Sequence, residues 1–290
     1  MSEQDLLRRF VFEDIGVRGL WVRLSVSWQT AKQYQHCPDN VQFLLGQALS
    51  AVVLLSSTIK FNGSMILQVQ GDGALKTLVA QATHDRKIRG LIRGNDTVTS
   101  GSLPEMFGEG RLVLTVSSEN AQPYQGIVPL QGDNLAEVLE TYFAQSEQLN
   151  TRLWLFADGN RASGLLLQEL PTQLKDKADW ERIEMLANTI TEREILDLGC
   201  EDLLYRLFNE EKVRVFDGEP VAFDCACSRT KIENTLRMLG RTELDSILLE
   251  RGHIDVNCEF CNQHYQFDRI DVEQLLRGNS NTIVDAQIRH

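Results

Sequence analysis

The spacing of hydrophobic and polar positions changes several times along the chain, and each change predicts an element. "VRGLWVRLSVSW" alternates as a strand does, with turn chemistry near Gly19. The segment from Phe43 to Ser57 is apolar nearly all round, which predicts a helix buried on every side. "SMILQVQGDGALKTLVAQAT" is the clearest hairpin, two apolar runs flanking the turn signal Gly71-Asp72-Gly73. "KIRGLIR", "RLVLTVSS" and "PYQGIVPLQ" continue as strands. "DNLAEVLETYFAQSEQ" has the period of an amphipathic helix capped by Asp133 or Asn134. "TRLWLFAD" and "SGLLLQEL" return to sheet, and Pro171 ends the run. Hairpin strands with helices grouped between them predict an α+β layered domain over residues 1–171.

Beyond Pro171 the pattern turns helical and dense in charge, which defines a linker over residues 172–222. Trp180, Ile183, Ala187 and Ile190 recur at helical spacing. Thr191 and Glu194 form a capping-box pattern ahead of a stripe of Leu196, Cys200, Leu203 and Leu207, which Gly199 weakens or breaks. The stripe needs a surface to cover, and the first domain is the obvious one. Read from the residues alone, such a stripe marks permanent packing.

A third pattern begins near Val213, and the module it leads to occupies residues 223–290. Ser228 or Thr230 can cap a helix that Gly240 stops, and Thr242 a second helix that Gly252 stops. "HIDVNCEFCNQHYQFD" reads as strand, tight turn, strand, and "DVEQLLRG" as a last short helix. The tail after Asn279 is polar and expected to fray.

Composition narrows the function classes. The chain has 290 residues, 42% of them hydrophobic, enough for a real core without disulfide staples. Its net charge of −12 argues against a nucleic-acid surface, which needs clustered Lys and Arg. The N-terminus lacks the basic start and apolar run of a signal peptide, so a reducing cytoplasm is expected. The apolar stretch ending at Phe61 carries Gln47, Ser50, Ser56, Ser57 and Lys60, which suits a buried helix better than a membrane span. No P-loop, G-x-S-x-G or G-x-G-x-x-G is present, and no conventional catalytic residue is expected.

Four of the six cysteines fall into two close pairs, Cys225-Ala-Cys227 and Cys258-Glu-Phe-Cys261, thirty residues apart. In a reducing compartment close cysteines are more often metal ligands or redox sensors than structural disulfides. A C-x-x-C on a hairpin turn points both sulfurs into one concavity, and four thiolates close the shell of one Zn2+ ion. A closed shell leaves no position for a substrate, so the expected zinc is not hydrolytic. The alternatives are four buried structural cysteines, or His264 replacing one ligand through C-x-x-C-x-x-H. His36, His84, His253 and His290 show no ligand spacing. Zinc would hold the sulfurs as thiolates, the form oxidants attack, so oxidation would pair them two by two and expel the metal. Of the two cysteines outside the pattern, Cys37 next to His36 could have a lowered pKa or be an ordinary thiol, and Cys200 suits a packed hydrophobe.

The chain resembles the heat-shock protein of 33 kDa family, the redox-regulated bacterial chaperones. The resemblance is carried by "RRFVFEDIGVRGLWVRL", "LLGQALSAVVLLSSTIKFNGSMILQVQGDGALKTLVAQ", "GLLLQELP" and, most specifically, "CACSRTKIENTLRMLGRTELDSILLERGHIDVNCEFCNQHYQFD". It implies zinc ligands at Cys225, Cys227, Cys258 and Cys261. It implies an inactive, reduced monomer. It further implies that oxidation joins Cys225 to Cys227 and Cys258 to Cys261, releases zinc, unfolds the linker and yields a dimer. That dimer would hold unfolding proteins without ATP, with neither nucleic acid nor membrane as partner. Two rival functions stay open on the residues: a zinc-ribbon module binding nucleic acid, and a thiol–disulfide oxidoreductase using C-x-x-C. The acidic balance counts against the first. The hairpin setting of the C-x-x-C counts against the second, since such enzymes place the motif at a helix start in βαβ context.

Overall fold

A computed structural model describes residues 4–95, 101–119, 121–170 and 177–277. The chain forms two compact units, Met1–Asp224 and Cys225–His290. The Pro171 stop, the start of the linker at Thr172, the tail after Asn279 and His290 lie outside the described residues.

The first unit opens with an antiparallel pair, β1 (Leu6–Phe12) and β2 (Val17–Leu24). Their turn falls at residues 13–16, where Asp14 and Gly16 take positive φ, and not near Gly19. Gly19 lies inside β2 for a packing reason: a Cβ there would sit 2.0 Å from the Phe10 ring. The strand expected to run to Trp28 stops at Leu24. The Asp5 carboxylate accepts the backbone N–H groups of Ser25, Val26 and Ser27, and this fixes the start of α1 (Val26–Lys32).

The all-round apolar segment is α2 (Asp39–Ser56). It is long and apolar enough to cross a membrane by composition, yet its apolar surface is spent inside the protein, where it packs against both sheets. The predicted hairpin is β3 (Gly63–Gly71) and β4 (Leu75–Thr83), followed by β5 (Lys87–Gly94), α3 (Leu103–Phe107), β6 (Gly110–Ser118) and β7 (Tyr124–Pro129). Asn134 caps α4 (Leu135–Tyr142) by accepting the Glu137 N–H at 3.1 Å. A single π turn, Phe143–Glu147, follows and ends at left-handed Gln148. Then come β8 (Thr151–Ala157) and β9 (Ala162–Glu169).

Residues 213–223 also join the first unit's sheets. β10 (Val213–Val215) and β11 (Glu219–Pro220) pair with β1, and β12 (Ala222–Phe223) pairs in parallel with β5. One sheet therefore has the order β10-β1-β2-β9-β8 and the other β12-β5-β4-β3-β6-β7, with α2 between them. The main core fills this space.

The first sheet is covered on its other side too. Phe10, Phe12, Val17, Trp21, Leu165 and Leu167 form a second core with helices α5 (Lys177–Ala187), α6 (Glu192–Asp197) and α7 (Cys200–Phe208). Burial on both faces explains why "SGLLLQEL" is apolar without alternation. The helices carry the predicted capping box at Thr191 and Glu194, and Gly199 breaks the stripe into two helices as the N-cap of α7. Arginines of β1, β8 and the β8–β9 turn reach the acids of these helices. Arg152 pairs with Glu184 at 2.5 Å, Arg8 with Glu201 at 2.9 Å, and Arg161 with Asp197 at 2.9 Å.

The second unit holds α8 (Arg229–Leu239), α9 (Arg241–Arg251), β13 (Ile254–Asn257), β14 (His264–Phe267) and α10 (Arg269–Arg277). Ser228 caps α8 as expected. Thr242 does not cap α9. Gly240, at φ +81°, both stops α8 and opens α9, so Thr242 already lies inside the second helix. The core of this unit is thin: Leu236, Leu244, Ile254, Phe267, Val272 and Leu275.

Candidate metal centre

Two turns of the second unit carry the four cysteines. At the first, the Cys227 N–H bonds the Cys225 carbonyl at 2.7 Å, a tight three-residue turn immediately before the Ser228 cap. At the second, between β13 and β14, the Asn262 N–H bonds the Cys258 carbonyl at 2.7 Å and Asn262 turns left-handed at φ 57°. The Cys258 N–H bonds the Gln263 carbonyl at 2.9 Å, which folds both sulfurs inward. Arg229, just after the first turn, ties it to β14 and α10. It bonds the Gln266 carbonyl at 3.0 Å, pairs with Asp271 at 2.8 Å and lies 4.3 Å over the Phe267 ring.

All four sulfurs lie within 4.8 Å of one another. The contacts between motifs are 3.6 Å for Cys225–Cys258 and 3.4 Å for Cys227–Cys261. A tetrahedral ion with bonds of about 2.3 Å has sulfur–sulfur edges of about 3.8 Å, so this tetrad is the right size for one. The donor set fits as well: four soft sulfurs suit zinc-type metals.

Burial pushes the Cys225 and Cys261 thiols up. Cys227 moves down: burial opposes the shift, but the Tyr265 hydroxyl and the three neighbouring sulfurs outweigh it. Four thiolates this close repel one another, and a divalent cation relieves that repulsion. Tyr265 was not visible in the cysteine spacing. Its hydroxyl donates to Cys227 Sγ at 3.3 Å, and that contact holds its own pKa up at about 12.

His264 takes no part in the tetrad. Its Nδ1 lies 2.8 Å from Asn257 Oδ1 and its Nε2 3.2 Å from Asp255, which also meets His253 at 2.6 Å. Cys200 is fully buried in the second core, a packed small hydrophobe as expected. Of the two readings of Cys37, the structure favours the unreactive thiol over a lowered pKa. Burial first, then the Asp39 charge, push it up to about 11. At pH 8 a thiol at about 11 is about one part in a thousand thiolate, against about one in four for an ordinary cysteine. We therefore expect Cys37 to react with iodoacetamide on the order of a hundredfold more slowly than in the urea-unfolded chain. The rate should climb as pH rises toward the raised value. Equal rates in the two states at pH 8 would contradict this.

A family model described as Hsp33 protein matches residues 5–268. A 33 kDa chaperonin from Nitrosococcus oceani is 58% identical over 275 residues, 95% of each chain. A protein of the same name from Neisseria meningitidis serogroup A is 43% identical over 294 residues, 100% of this chain and 97% of its own. The crystal structure of a 33 kDa chaperonin, a heat shock protein 33 homolog, from Thermotoga maritima matches at a TM-score of 0.81 and 25% identity, covering 94% of this chain and 98% of that one.

Proposed function

The chain belongs to the Hsp33 family of chaperones, and from that membership we propose that its four-cysteine tetrad is a zinc-gated redox switch on client binding. The observation that carries the reading is the tetrad itself, four sulfurs within 4.8 Å of one another. Cys225, Cys227, Cys258 and Cys261 would hold one Zn2+ ion. Bound there, zinc supplies a staple and keeps the sulfurs as thiolates.

Oxidation then acts on the chain's own sulfurs. Cys225 joins Cys227 and Cys258 joins Cys261, each pair giving up two electrons. Each peroxide molecule takes two electrons and two protons and leaves as water. Sulfur contacts of 3.6 and 3.4 Å run between the motifs, so each pair must move away from its partners in the tetrad to reach a bond of about 2.05 Å. A disulfide is no longer a thiolate ligand, and the staple is lost.

The second unit begins where the first unit's last strand ends. The Asp224 N–H bonds the Ile88 carbonyl at 3.0 Å, and Cys225 is the next residue. Through residues 213–223 the unfolding module pulls on the helices of the 172–222 linker. Release of α5, α6 and α7 uncovers Phe10, Phe12, Trp21, Leu165 and Leu167. A contiguous apolar face of this kind is what an unfolding protein binds. In this reading the division of labour is core at 1–171, linker at 172–222 and switch at 223–290. The reduced form is an inactive cytoplasmic monomer. The oxidised form is a dimer that holds clients without ATP and takes neither nucleic acid nor membrane as partner.

Peptide mapping tests the pairing. After peroxide at heat-shock temperature, mass spectrometry should find Cys225–Cys227 and Cys258–Cys261 linkages, with Cys37 and Cys200 reduced. Dominant Cys225–Cys258 or Cys227–Cys261 linkages would refute it.

A further inference from the structure

Beside the C-terminal end of α2 the first unit encloses a cavity of about 340 Å3. Its wall is apolar, formed by Leu55, Met65, Leu114, Val116, Phe143 and the exposed Ile59. Small-molecule sites have this size and character, with a few polar groups that fix orientation.

One such group is Arg18 of β2. Its Nε donates to Gln168 Oε1 at 3.1 Å, its Nη2 donates to the same oxygen, and Nη2 also donates to the Thr58 carbonyl at 3.3 Å. Gln168 is buried on the facing strand and is itself oriented, its amide donating to Thr151 Oγ1 at 2.8 Å. The guanidinium is thus aimed by neutral acceptors alone. Among the described residues it has no carboxylate partner, and Nη1 has no hydrogen bond. Burial, then the Arg9 charge, push its pKa below the usual guanidinium value. A half-buried cation without a counter-ion is costly, and a ligand anion would offset that cost.

The second polar feature limits the ligand's charge. The wall includes the π turn, a geometry that recurs at functional sites. Its Glu147 is held by the Tyr142 hydroxyl at 3.0 Å and the Tyr124 hydroxyl at 3.4 Å. That carboxylate opposes anions, and it opposes a dianion more strongly than a monoanion, which favours a ligand with a single negative charge.

We infer that the first unit binds an aliphatic monocarboxylate, with its head group on Arg18 and its chain along the apolar wall. This site is separate from the cysteine tetrad and does not depend on the redox reading. A chain of about ten carbons suits the volume.

The test uses the reduced full-length protein with 13C-labelled methionine methyls, titrated with decanoate below its micelle concentration. Met65 lines the cavity, while Met185 and Met238 are exposed and report unspecific adsorption. The Met65 signal should move saturably with one equivalent bound, and Met185 and Met238 should stay in place. Decyltrimethylammonium should leave Met65 unmoved. Arg18→Gln should weaken decanoate at least about tenfold, the loss of a charge-assisted bond. Val116→Phe, which keeps Arg18 and narrows the cavity, should abolish the response. In both variants an unshifted signal from Met106, buried in the main core, confirms the fold. The inference is overturned if Met65 does not move, if the cationic analogue moves it equally, or if both variants bind decanoate as the native protein does.

Discussion

Cys258→Ser, or removal of metal by a chelator, is expected to unfold the second unit and leave the first intact. Among the described residues the core cluster of the second unit has six buried members, and units of this size rarely hold together on a hydrophobic core alone. Structural zinc contributes on the order of 10–16 kcal/mol in small zinc-folded peptides, as much as the whole stability of an ordinary domain. Cys258 is the most buried of the four cysteines, and its backbone N–H also closes the hairpin turn. The first unit has its own large core around α2. Amide hydrogen exchange separates the two. Protection at 254–257 and 264–267 should collapse after chelation, while α2 stays protected. A hairpin that keeps its protection would show that the module stands without metal.

Leu203→Asp is expected to produce a chaperone that holds clients under fully reducing conditions. Leu203 is fully buried in the second core, among the aromatic and leucine side chains of the first sheet. Truncating a buried leucine costs about 2–5 kcal/mol, and burying a carboxylate without a partner adds to that. The ion pairs at the edges cannot offset such a loss. They are partly solvent-exposed, Glu201 at 72%, and pairs of this kind are worth about 0–1 kcal/mol each. The helical layer should detach and uncover the sheet. The readout is aggregation of a heat-unfolding enzyme in excess reductant. Leu203→Asp should suppress it, and the surface variant Glu201→Ala should behave like the native protein. If exchange shows the helices detached and suppression is still absent, the client surface lies elsewhere.

The parts of the fold legible in the sequence were those set by local pattern. The continuous apolar run gave away α2, Gly71-Asp72-Gly73 the hairpin, and Thr191 with Glu194 the cap of α6. What was hidden depends on residues far away in the chain. "SVSW" continues the alternation of β2, and only Asp5, some twenty residues upstream, converts it to a helix start. Gly19 resembles a turn residue until the Phe10 ring is seen lying over it. Strands of two or three residues such as β11 and β12 have no period of their own and exist because β1 and β5 offer open edges. At the candidate site the cysteine spacing was fully legible, because a C-x-C and a C-x-x-C constrain the backbone locally. The Tyr265 contact was not legible, since it comes from the next strand folding back over Cys227.

In the proposed switch one event, oxidation of the tetrad, controls both metal and client binding. The most direct measurement follows zinc release, with a colorimetric chelator, and suppression of client aggregation in the same sample after peroxide at heat-shock temperature. A reduced control and the Cys225→Ser/Cys227→Ser variant run in parallel. Native protein is expected to release one zinc per chain and gain suppression on the same time course, and reductant is expected to block both. Zinc retained while suppression appears, or zinc released with no suppression at all, would contradict it.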